Sequence, residues 1–73
     1  MVLPELISLL DWADNLQIDF PRGNVPRIDD ENEWKDWASE LLQIDEFDGY
    51  NIPDPHQFSD WREWAQRFIQ VIY

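Results

Sequence analysis

The sequence predicts an all-α protein of three short amphipathic helices, joined by extended, proline-containing segments and built on an internal repeat of about 26–27 residues. Three observations predict it. Residues 24–43, "NVPRIDDENEWKDWASELLQ", return at 51–70 as "NIPDPHQFSDWREWAQRFIQ". In both copies the apolar residues fall at i, i+3, i+4, i+7 and i+8, the stripe of a 3.6-residue helix. Prolines stand ahead of each stripe and never inside it, where they would break a helix.

The first helix is expected at about 4–16. In "LLDWADNLQI", Leu9, Trp12, Ala13 and Leu16 reproduce the shared stripe, while Leu6, Ile7 and Leu10 add apolar surface outside it. A helix apolar on more than one face needs cover on more than one side. It therefore sits in the middle of the protein or docks on something else. Its lead-in is only the stub "VLP", so this unit reads as truncated.

The connecting segments come next. "QIDFPRGN" matches "QIDEFDGYN" with one residue inserted, and Gly23 and Gly49 supply turns. Val25-Pro26 and Ile52-Pro53 follow. Proline restricts its own φ and pushes the preceding residue extended, so each lead-in is expected to be extended or polyproline-like. Such an arm can cross a helix and rest its prolines on indole rings, within the chain or on a neighbouring subunit. Loops of this length are long for a compact bundle, which favours a docked arm over a plain linker.

The second helix is expected at about 30–43, with Trp34, Trp37, Ala38, Leu41 and Leu42 on the stripe and Asp30 with Glu33 as a capping box. The third is expected at about 57–72, with Trp61, Trp64, Ala65, Phe68, Ile69 and Ile72 on the stripe. Asp54-Pro55 offers a cap followed by a first-turn proline, and Ser59 offers a later start. The final "RFIQVIY" is rich in β-branched and aromatic residues and could pair as a strand, but the stripe favours helix. The chain thus reads as one small domain, 1–73, made of units 1–18, 19–44 and 45–73.

Composition narrows the chemistry. With 73 residues a lone core is marginal, and small scaffolds compensate with disulfides, metals, partners or unusually large side chains. Cysteine is absent and His56 is the single histidine, so disulfides, thiolate sites, His clusters and triads are excluded. Five Trp, four Phe and two Tyr supply the burial instead. Sixteen acids against five bases, a net charge of −11, argue against binding nucleic acid or an anionic membrane and suit a basic partner. No segment approaches a membrane span, and "MVLPELISLLDW" lacks the basic start of a signal peptide. Asp45, Glu46, Asp48 and Asn51 form an acidic turn, but their spacing is not that of a calcium loop. No cofactor, metal or catalytic constellation is expected, and the chain is read as a non-enzyme.

The segment "IPDPHQFSDWREWAQRFIQ" resembles short stretches of bacteriophage virion and tail-associated proteins: Pro-x-Pro, then Phe, then Trp-x-x-Trp-Ala, then an aliphatic pair. The matching positions are Pro53, Pro55, Phe58, Trp61, Trp64, Ala65, Phe68 and Ile69. In the earlier copy Ile28 replaces the second proline and Glu31 the Phe. The resemblance implies a docking element of a particle and no enzymatic activity. The expectation is a small structural or adaptor protein of a phage particle, assembled in the host cytoplasm and contacting other virion proteins in several symmetric copies, or copies of itself. Its docking residues would be Trp34, Trp37, Leu41, Phe58, Trp61, Trp64 and Phe68, with Pro26, Pro53 and Pro55. The alternative is an acidic, DNA-mimicking inhibitor of a host defence or regulatory protein that binds nucleic acid.

Overall fold

The computed structural model describes residues 3–73. Among them the regular elements are three α-helices and four short 3-10 turns, with no strand. The helices are α1 (Leu9–Asp19), α2 (Trp34–Leu41) and α3 (Trp61–Ile72). The expected all-α class is what the chain adopts. A 3-10 turn precedes each helix: Pro4–Leu6, Glu31–Glu33 and Pro55–Gln57. A fourth turn, Asp45–Phe47, lies in the second connection.

The helix starts differ from expectation, and local hydrogen bonding explains why. Residue Ile7 is extended, so the chain straightens after Pro4–Leu6, and α1 begins only at Ser8, whose hydroxyl accepts from the Asp11 amide at 3.3 Å. Helix α1 then runs to Asp19, beyond the expected 16, and ends before Pro21. Asp30 and Glu33 do not form a capping box on α2. Asp30 instead caps the 3-10 turn, accepting from the Asn32 amide at 3.0 Å. Asp54 does the same for Pro55–Gln57, and α3 is capped by Asp60 rather than Ser59. A short side-chain oxygen close to a free amide outcompetes the longer helix that periodicity alone suggests. The last residues extend α3 through Ile72 and do not pair as a strand.

The core follows one rule in all three helices. Each buries its first, fourth, fifth and eighth residues: Leu9, Trp12, Ala13 and Leu16; Trp34, Trp37, Ala38 and Leu41; Trp61, Trp64, Ala65 and Phe68. Outside the helices, Val25 and Phe47 join the hydrophobic core, and Pro4 and Pro55 are buried as well. Alanine at the fifth position lets the helices approach, while the indoles fill the centre. Trp12 meets Trp37, Trp61, Trp64 and Phe68 at ring-centroid separations of 5.7–6.3 Å, three of them edge-on. Each such pair adds about 0.5–1.5 kcal/mol beyond its buried area. The most extensive backbone contacts between elements of separate units are helix against turn: α2 with Pro55–Gln57 and α3 with Pro4–Leu6. Across the first connection, residues 25–29 face α1 over a groove. The turn of the first unit therefore lies on the last helix.

Candidate functional site

The two lead-ins are held to their helices by one repeated contact. Trp37 Nε1–H donates to the Pro26 carbonyl at 2.7 Å, and Trp64 Nε1–H donates to the Pro53 carbonyl at 2.9 Å. Both bonds span eleven residues. The arms thus engage the indoles, as the proline spacing suggests, each through a main-chain carbonyl that accepts the indole N–H. An indole whose N–H must be buried needs an acceptor, and the segment just ahead of the helix supplies it. Trp61 Nε1–H reaches across units to the Glu31 carboxylate.

These contacts fix where the ten expected docking residues lie. Trp34, Trp37, Leu41, Trp61, Trp64 and Phe68 are between 0 and 8 % exposed. Pro55 is buried, and Pro26, Pro53 and Phe58 are partly buried against the core or its rim. The rings are covered by their own chain, so a partner arriving at the surface meets other side chains. The surface area, 4774 Å², is close to the roughly 4,800 Å² expected of a folded 8.9 kDa monomer. Aromatic content here makes up for short length internally.

All sixteen carboxylates lie outside, beside exposed apolar residues such as Leu6 and Ile18. Among the described residues no Lys or Arg pairs with a carboxylate, and the Asp54 carboxylate meets the His56 ring at 3.1 Å. Two of the five bases lie on indoles: Lys35 over the Trp34 ring and Arg62 over the Trp61 ring, with the Arg62 guanidinium also donating to the Ile7 carbonyl. The His56 amide, then its ring, hold the Asp54 carboxyl below the usual carboxylate range. Burial raises the Tyr73 phenol, helped by the Asp19 carboxylate to which it donates. No group of three or more His, Cys, Asp or Glu among the described residues is arranged to hold a metal ion. No helix formed by those residues is long and apolar enough to cross a membrane.

Two shallow grooves flank the lead-ins. One, about 460 Å³, lies between α1 and residues 25–29 and includes Leu10, Asp14 and Asp29. The other, about 260 Å³, lies between α3 and the second lead-in and includes Pro53, Phe58, Val71 and Arg67. Leu10, apolar surface in excess of the stripe, is 38 % exposed at the first groove. Asp14 and Asp29 carried no signal of their own, since acids are everywhere in the chain. Compared with known proteins, the chain matches no family model, no curated protein and no solved structure.

Proposed function

We propose that this chain is a self-contained acidic binding domain whose partner presents a basic surface of the kind that otherwise holds nucleic acid. One observation carries the proposal: the aromatic anchors are inside, while carboxylates outnumber bases sixteen to five and, among the described residues, form no ion pair with a Lys or Arg. Such a surface attracts a basic groove over a Debye length and competes with polyanions for it. A particle adaptor anchored by the Trp stripe would need those rings at the surface. An adaptor role would have to rest on other residues.

The test uses the intact chain, immobilised. Proteins of a cell extract that are retained on heparin are passed over it at about 0.1 M salt. The expected result is retention of a discrete basic protein, weakening steeply with salt and displaced by duplex DNA. Retention that survives high salt, or that DNA leaves untouched, overturns the proposal.

A further inference from the structure

Resting on that reading, we infer that the groove between α1 and residues 25–29 receives an extended peptide segment of the basic partner, which pairs its main chain with this lead-in. The first argument is the state of the backbone. The amides of Val25, Arg27, Ile28 and Asp29 donate to no described residue, and of the carbonyls at 24–29 only that of Pro26 accepts a bond from a described residue, Trp37. Apart from the packing of Val25 and Ile28, the segment is hydrogen-bonded to the fold at one point among the described residues and leaves a row of open donors and acceptors. Backbone groups in this condition are the template for an added extended chain.

The second argument is the groove beside that row. Leu10, Ala13, Val25 and Ile28 give it an apolar lining, with Asp14 on the helix side and Asp29 on the lead-in side. Neither carboxylate is in an ion pair among the described residues. Arg27 also lines the groove, so its rim carries one net negative charge, with Asp30 and Glu31 next along the chain. An extended segment that alternates aliphatic and basic side chains sends one set onto the apolar lining and the other toward the carboxylates, because successive side chains of a strand point to opposite sides. A second copy of this acidic chain is the wrong occupant: its net charge of −11 repels. The groove at the second lead-in is a natural contrast. It has an apolar lining too, but its charged lining residue is Arg67 and it includes no carboxylate.

The probe is a dye-labelled (Lys-Val)4 peptide, capped at both ends, titrated with the full chain and read by fluorescence anisotropy at about 0.15 M salt. Leu10→Lys and the double variant Asp14→Asn/Asp29→Asn are expected to weaken binding about tenfold or more. Asp45→Asn/Glu46→Gln, which removes equal charge elsewhere, is expected to weaken it less than about twofold. A peptide N-methylated at alternate residues is expected to lose about tenfold, and amide NMR shifts on binding are expected to concentrate at 25–29. Far-UV dichroism of each variant establishes that it is folded. If all acidic substitutions weaken binding alike and the N-methylated peptide binds as well as its parent, the groove assignment falls while the acidic-domain reading stands. If the folded wild-type chain binds no basic peptide, both fall. Self-association seen by sedimentation, with shifts at the same groove, overturns the choice of occupant.

Discussion

Replacing Trp64 by Phe isolates the bond that fastens the second lead-in. Trp64 is fully buried and packs on Trp12, Trp34, Trp37 and Phe68, with centroids 5.4–6.3 Å away. Phe keeps an aromatic ring there but removes part of its volume, a loss of about 1–2 kcal/mol by analogy with modest large-to-small changes. It also removes the N–H that the Pro53 carbonyl accepts at 2.9 Å. Leaving that partly buried acceptor unpaired costs about 1–2 kcal/mol more. The total, about 2–4 kcal/mol, is a large share of the roughly 4–11 kcal/mol available to a chain of this length. Trp12 is the matched control: it is 2 % exposed in the same aromatic cluster, yet its indole N–H bonds to no described residue. Trp12→Phe should therefore cost only the packing part, about 1–2 kcal/mol. Trp37→Phe should behave like Trp64→Phe, since its bond to Pro26 is as good. Urea unfolding followed by far-UV dichroism measures all three. If Trp12→Phe destabilises as much as Trp64→Phe, the indole-to-carbonyl bond is not what secures the lead-in.

Added salt should raise the midpoint of thermal unfolding between about 0.01 and 0.5 M at neutral pH, because screening relieves repulsion among unpaired carboxylates; a fall would mean that attractive pairs dominate. The Tyr73 phenol titrates above its ordinary value of 10.0, so the fold's preference for the neutral form adds stability below pH 10 that is lost as pH rises toward the raised value. Tyr73→Phe should flatten that alkaline loss in pH-dependent urea unfolding, and an unchanged slope would place its cause elsewhere. Gly49 has φ of +89° with open space where a Cβ would go, so Gly49→Ala should cost about 1 kcal/mol from the backbone alone, and Gly49→Asn less; equal stability of Ala and Gly in denaturant titration would contradict the left-handed turn.

Periodicity exposed the three helices and their inner faces, because a stripe at i, i+3, i+4 and i+7 leaves one orientation available, but it placed each start four or five residues early. The shared Pro-before-Trp spacing likewise pointed to arms engaged with indoles. Three things were hidden. Caps at Ser8 and Asp60 depend on which short oxygen meets which amide, and several candidates stood within a turn of each other. Whether the indoles faced inward or outward was undecidable from a stripe, since core and interface use the same residues. The groove at Leu10 brings together α1 and residues 25–29 by tertiary packing, and Asp14 and Asp29 have no spacing that announces it.

The resting of Pro4–Leu6 on α3, with Gln66 donating to Glu5 and Arg62 to the Ile7 carbonyl, makes the arrangement circular. Open stacks of similar units grow by adding another layer to an exposed end and need special terminal layers to stop. Here the face of α3 on which a further layer would land is already occupied by Pro4–Leu6.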